Sequence, residues 1–276
     1  MSLAKIVGIA LLVGVIASGA GIGRRGTEPG SAAATRPVAV HKPVSSAREN
    51  RPLTTGAAIR KARSFARARL GGVAFAVLDG EHRPRGLRRT VRFPSASVSK
   101  AMLLVALLRR AGHRHLSTGE RGLLRRMITA SDNDAASAVY ALVGGGGMRR
   151  VARAAGMRRF VEVGYWSDAQ ITAADQARLF LRIDKLVPQR HRPYARKLLS
   201  SIVREQRWGI APVARLRRLR IFFKGGWRTG ITHQVALLER GRQRIALAVL
   251  TQSPSIPYGE ETIERIARRV LIPASG

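Results

Sequence analysis

Ser97 and Lys100 stand three residues apart at the head of an apolar run, Ala101-Met102-Leu103-Leu104-Val105-Ala106-Leu107-Leu108. In a helix this spacing puts both on one face, one turn apart. A lysine at the start of a buried helix is desolvated, and the positive helix end disfavours its ammonium form further. Such an amine can take the proton of a serine hydroxyl and make it a nucleophile. Alone, the pair reads equally well as a helix cap followed by a surface lysine. Ser131-Asp132-Asn133 lies between two helical stretches and by itself is an N-cap cluster. Lys224-Gly225-Gly226, followed by Trp227, ends the apolar run Ile221-Phe222-Phe223 and by itself is a strand running into a glycine turn.

The elements that must position these residues follow from periodicity. Ala57 to Leu70 reads as a helix, Gly72 to Leu78 as a strand, Asp79-Gly80 as a turn and Arg88 to Phe93 as a partner strand. Helical patterns dominate from Ser97 to about Ala214. Strands are expected over Arg220 to Lys224, Gln234 to Glu239 and Arg244 to Thr251, and a helix over Gly259 to Leu271. Two strands at the start, three at the end and helices between imply an α+β fold. Its expected form is a five-stranded antiparallel sheet flanked by helices, with an inserted all-helical subdomain. Gly144 to Gly147 reads as a break between helices; no strand precedes it and no Lys-Ser/Thr follows, so it is no phosphate loop.

The three motifs, in this order and these contexts, match the S-x-x-K, S-D-N and K-T-G set of serine acyl-transfer enzymes. From about Gly56 to Leu271 the chain resembles the class A β-lactamase-like, penicillin-recognising serine hydrolases, within them a short, divergent actinobacterial branch. Trp208-Gly209-Ile210, Lys224-Gly225-Gly226-Trp227 and the run Leu247 to Gln252 also resemble that branch. The resemblance implies Ser97 as nucleophile, Lys100 as its base, Ser131 as proton relay to the leaving nitrogen and Asn133 as a ligand for a substrate amide. Lys224 would keep the region electropositive and orient Ser131 and a substrate carboxylate. The backbone N–H groups of Ser97 and Trp227, reached past Gly226, would form the oxyanion hole. Such donors are worth about 2.7 to 4 kcal/mol each in other enzymes. Asp132 is expected to accept local backbone hydrogen bonds.

Three departures qualify the resemblance. Position 225 is Gly where the family usually has Thr or Ser, so a hydroxyl that grips the substrate carboxylate is missing. The stretch between Lys100 and Ser131 is short, which predicts a more open cleft. The loop that normally carries the deacylating Glu reads Gly164-Tyr165-Trp166-Ser167-Asp168-Ala169-Gln170-Ile171-Thr172 and holds none. Asp168 is the candidate substitute for deacylation, although an exposed loop acid or helix-entry cap is the plainer reading. Thr172-Ala173-Ala174-Asp175 reads as a variant capping box only. His233 is expected at a polar edge position. His113 and His115 would face different sides of a helix end without a third ligand, so no metal is expected, and the mechanism calls for no cofactor.

The remainder of the chain bounds the setting. Lys+Arg number 50 against 16 Asp+Glu in 276 residues, a formal charge of +34, and only seven of the cations are Lys. This arginine bias fits the drift of a GC-rich genome, and it also gives a surface that attracts anions, such as cell-envelope polymers or anionic lipids. With aromatic residues at 5% and charge spread along the whole chain, no nucleic-acid partner is expected. The absence of cysteine excludes disulfides and thiol nucleophiles. Residues 1–23, with Lys5 ahead of the apolar run Ile6 to Gly23, read as a signal peptide or membrane anchor. Residues 24–55, rich in Gly, Pro, Ser and Arg, read as a disordered linker, and 56–272 as the catalytic domain. The expectation is a monomeric serine hydrolase, secreted or anchored to the outer face of the cytoplasmic membrane. It would act on a small-molecule or cell-wall peptide substrate with weak or no β-lactam turnover. The alternative is a catalytically degenerate cell-envelope binding protein on the same fold.

Overall fold

The computed structural model describes residues 51–80 and 83–272; the expected signal or anchor and most of the expected linker lie outside them. Leu53 and Thr54, at the end of that stretch, are buried, and Ile272 N donates to Leu53 O at 3.0 Å. Helix α1 (Gly56–Arg67) begins at Thr55, whose hydroxyl accepts from Ala58 N. Strands β1 (Gly72–Asp79) and β2 (Arg85–Leu87) follow, then β3 (Arg92–Pro94) and a 3-10 turn, Ala96–Ser99. The helical half comprises α2 (Lys100–Ala111), α3 (Thr118–Arg125), α4 (Asn133–Ala155), α5 (Ala173–Leu186), α6 (Arg192–Ser200) and α7 (Ile210–Leu216). It is interrupted only by the short strand β4 (Gln170–Thr172). Strands β5 (Arg220–Arg228), β6 (Ile231–Arg240) and β7 (Gln243–Gln252) and helix α8 (Ile256–Val270) complete the chain.

Five strands form one antiparallel sheet in the order β2-β1-β7-β6-β5. Each chain end thus supplies part of it. Helices α1 and α8 pack together and against the sheet, while α5 packs against β1, β6 and β7, with α2 and α4 adjoining it. In α2 every residue from Ala101 to Leu108 is apolar and buried, so this stretch is buried all round and forms the centre of the helical half. Among the described residues no helix is long and apolar enough to cross a membrane.

Two expectations about strands are corrected. The segment Arg88 to Phe93 is not one partner strand. Arg85–Leu87 pairs with β1, the chain turns at Arg88 (φ +44), and Arg92–Pro94 pairs instead with Gln170–Thr172 in a separate two-stranded sheet. Gly86 permits this, because a Cβ there would stand 2.0 Å from Phe75 O, at φ +152. Secondly, Gly225 and Gly226 do not end β5. They pair in register with Gln234 and His233, and the strand continues to Arg228. The glycine run in α4 does mark a break: Gly144 sits at φ 63, ψ 174 within an otherwise continuous helical span.

Candidate active site

Ser97 lies in the 3-10 turn that leads into α2, partly exposed, one turn ahead of the buried Lys100. Ala96, just before it, holds φ +44, a costly conformation for a residue with a Cβ. Hydrogen bonds over-determine this segment. Ser95 N donates to Ala169 O and Ala96 N to Ser167 O, and the buried Ser95 hydroxyl reaches Trp166 O and Ser167 O. Behind them His233, fully buried in β6, donates from Nε2 to Pro94 O at 3.0 Å and accepts Thr251 N–H at Nδ1, 3.1 Å. His233 is therefore not an edge residue as expected but a tie between β6, β7 and the strand ahead of Ser97. Burial lowers its pKa to about 4, so the ring is neutral and the tautomer fixed.

The second motif reaches the same place by a strained route. After a single π-helical turn, Arg126–Ala130, Ser131 adopts the left-handed conformation (φ 60, ψ 31). Asp132 then caps α4 by accepting Ala135 N at 2.8 Å and pairs with Arg126 at 3.4 Å, the local structural role expected of it. Lys100 Nζ donates to Ser131 O (2.5 Å), to Ser131 Oγ (3.2 Å) and to Asn133 Oδ1 (2.7 Å). From the other side Lys224 Nζ donates to Ser131 Oγ (3.1 Å) and Gly225 O (2.8 Å). The two amines, the hydroxyl and the amide thus form one connected cluster, with Ser97 one turn ahead of Lys100. Burial lowers the Lys100 pKa to about 8 against an opposing pull from Asp132. Burial, and then the charge of Lys100, push Lys224 well below the usual lysine range.

Strand β5 is the sheet edge, and it meets the Ser97 turn at Gly226. A Cβ there would fall 2.6 Å from Ser97 N and 2.8 Å from Val98 N. Only glycine lets the edge approach so closely at the residue before Trp227.

The side chains of the loop 164–172 are held by their neighbours. Trp166 is buried, its ring 4.7 Å from Lys100 Nζ and its Nε1 donating to Ser137 Oγ. Asp168 lies nearly half-exposed in an ion pair with Arg228 at 2.7 Å. The one glutamate close by in sequence, Glu162, accepts from Tyr140 Oη, Arg149 and Gly164 N, and these bonds hold its carboxylate below the usual range. Asp175 proves to be more than a cap. Its buried carboxylate accepts the N–H groups of Arg158 and Arg159, both at 2.9 Å, and fixes the entry to this loop. Trp166, Ser95 and Gln234, whose side chain clamps Trp208 O and Ile210 N, were not assigned roles from sequence. The only signal for Trp166 was an indole in a short polar loop.

A hydroxyl after a strained residue, a buried amine of lowered pKa, a second hydroxyl between two lysines and an edge strand against the Ser97 turn are the groups that acyl transfer requires, and they stand on the β-lactamase/transpeptidase fold. The model of the beta-lactamase enzyme family matches residues 121–272, more than half of the sequence, and the chain belongs to that family. Among solved structures, the β-lactamase of Sphaerobacter thermophilus is 21% identical, with 78% of this chain and 95% of that one covered at a TM-score of 0.65. A variant of PBP-A, solved as an acyl-enzyme complex with penicillin G, is 16% identical over 79% and 96% at 0.66. The extended-spectrum β-lactamase TLA-1 is 14% identical over 78% and 97% at 0.68. No curated protein matches in sequence.

Proposed function

We propose that the protein is an exported serine hydrolase that forms an acyl-enzyme on Ser97 and releases it slowly. The observation that carries this reading is the hydrogen-bonded cluster of Lys100, Ser131, Asn133 and Lys224, with Ser97 one helical turn ahead of Lys100 and its backbone against Gly226. The neutral fraction of Lys100, a minority below its pKa of about 8, gives up one of the three donated bonds and takes the Ser97 proton as Oγ bonds to the carbonyl carbon, and the N–H groups of Ser97 and Trp227 receive the oxyanion. Collapse breaks the bond to the leaving nitrogen, which takes a proton from Ser131; Ser131 recovers one from Lys100. The proton lost by Ser97 thus ends on the leaving group. Lys224 orients Ser131, and Asn133 both fixes Lys100 and presents its exposed amide to the acyl side.

Slow release is supported by the loop. A deacylating base contributes about 10²–10⁴-fold, and the side chain against Lys100 is the indole of Trp166, while Asp168 is bound to Arg228. Substrates are small acylating molecules or cell-wall peptides, and the apolar run near Lys5 directs the domain out of the cytoplasm. The test is intact mass spectrometry after exposure to a labelled penicillin and to a fluorophosphonate. One adduct per chain, located on Ser97, lost in Ser97→Ala and slowed at least about a hundredfold in Lys100→Ala is expected. Absence of any adduct, or labelling undiminished in Ser97→Ala, rejects the proposal, and the first of these outcomes favours a binding protein.

A further inference from the structure

Gly225 and Trp227 share one face of β5, while Lys224 and Gly226 share the other, toward Ser97 and Ser131. The place of a side chain at 225 is taken. A Cβ on Gly225 would stand 3.0 Å from Cζ2 and 3.2 Å from Cη2 of Trp208. The indole is held there from two directions. Gln234, the register partner of Gly225, accepts Ile210 N–H at 2.5 Å and donates to Trp208 O at 2.9 Å, and Gly209 between them turns at φ +63. Trp208 also meets Trp227 edge to face, with centroids 5.9 Å apart, and both rings are half-buried.

The two cations nearest Gly225 on this strand are engaged. Lys224 Nζ is bonded to Ser131 Oγ and Gly225 O, and burial disfavours its charged form. Arg228, the next cation along the strand, is bonded to Asp168. A carboxylate brought to the face of Gly225 and Trp227 would leave water for two indoles, with no hydroxyl at position 225 and with Arg228 already paired with Asp168, an unfavourable transfer. A flat or apolar uncharged group would instead gain ring contacts.

We infer that Trp208, with Trp227, sets the specificity of the Ser97 cleft for neutral acyl donors whose leaving side carries an apolar or planar group in place of a carboxylate. This rests on the serine hydrolase reading and deepens it by naming the substrate class.

The test compares two esters with the same acyl group, one with a phenyl and one with a meta-carboxyphenyl leaving group, by the rate of Ser97 acylation. The native chain is expected to favour the phenyl ester by about tenfold or more. Trp208→Ala should shrink that ratio. Gly225→Thr in the Trp208→Ala background, where the added side chain has room, should bring it to unity or reverse it. Trp208→Phe, which keeps a ring, should retain most of the preference, and thermal melts identify any variant that fails to fold. A native preference for the carboxylate ester, or a ratio unchanged in folded Trp208→Ala, overturns the inference. If a fluorophosphonate labels Ser97 while the esters are not discriminated, only this inference falls. If neither esters nor fluorophosphonate label Ser97, the hydrolase reading falls and the inference with it.

Discussion

At the scale of residues, the site turns on one amine. Lys100 must be neutral to accept a proton, and burial sets its pKa to about 8. Below that pH the neutral fraction falls tenfold per unit, so acylation by any probe that labels Ser97 should rise about tenfold from pH 6 to 7 and level off above 8. A rate independent of pH over this range would remove Lys100 from the proton path. Asp168 is expected to behave otherwise: Asp168→Asn should change the lifetime of the acyl-enzyme by less than about threefold, because its carboxylate is bound to Arg228. Pulse-labelling followed by mass spectrometry measures this, and a lifetime lengthened tenfold or more would make Asp168 the deacylating base after all. Ser97, Lys100, Ser131, Asn133 and Lys224 were legible in the sequence since each sits in a motif of local spacing. Trp166 and Trp208 were not, because their partners, Lys100 and Gly225, lie 66 and 17 positions away and only the folded chain joins them.

At the scale of elements, the sheet and its order of helices could be read from alternation and helical period, whereas the glycines misled. Gly225 and Gly226 look like a turn in sequence, but they continue a strand whose neighbours, Trp208 and the Ser97 turn, come too close for side chains. Gly86 likewise hid the split between β2 and β3. His233 was misplaced for a related reason: an isolated polar residue at a strand start suggests an edge, yet its ring satisfies Pro94 O and Thr251 N inside the fold. That ring gives the elements a pH limit. Its folded pKa of about 4 lies below the unfolded value of about 6.5, so the unfolded chain takes up the proton first as pH falls. Its stabilisation is complete above pH 6.5 and is lost progressively down to pH 4, by about 3 kcal/mol. Urea unfolding at pH 7, 5.5 and 4 should show this slope, flattened in His233→Gln, which carries no titrating group. His191, also lowered by burial, adds a slope of the same sign that the variant retains. An identical pH dependence in both chains would mean that His233 is not held neutral.

At the scale of the whole molecule, the charge of +34 has a partly structural origin. Many guanidinium groups donate to backbone carbonyls: Arg109 to Leu186 O, Arg182 to Ala155 O, Arg192 to Val187 O and Arg207 to Ser200 O. Such bonds satisfy carbonyls at helix ends and loops, and they leave the positive charge uncompensated. At the far end of α2, Arg109, Arg110, Arg150, Lys185 and Arg192 line a cavity of about 500 Å³ that no acidic side chain lines. Arginine in this protein therefore serves packing without giving up its field, so a genomic bias and an affinity for anions are not exclusive readings. Attraction of this kind is long-ranged only at low ionic strength, since the screening length shrinks from about 10 Å at 0.1 M salt to about 3 Å at 1 M. Residues 51–276, without the apolar run, should therefore bind vesicles containing anionic phospholipid at low salt and lose at least about tenfold in affinity between 0.05 and 0.5 M salt. Vesicles of zwitterionic lipid should not be bound. Cosedimentation reads both, and equal binding to the two vesicle types would show that the arginines are structural only. Affinity for anionic vesicles that persists in 0.5 M salt would point instead to a fitted anion site, with the basic cavity at the end of α2 the first place to mutate.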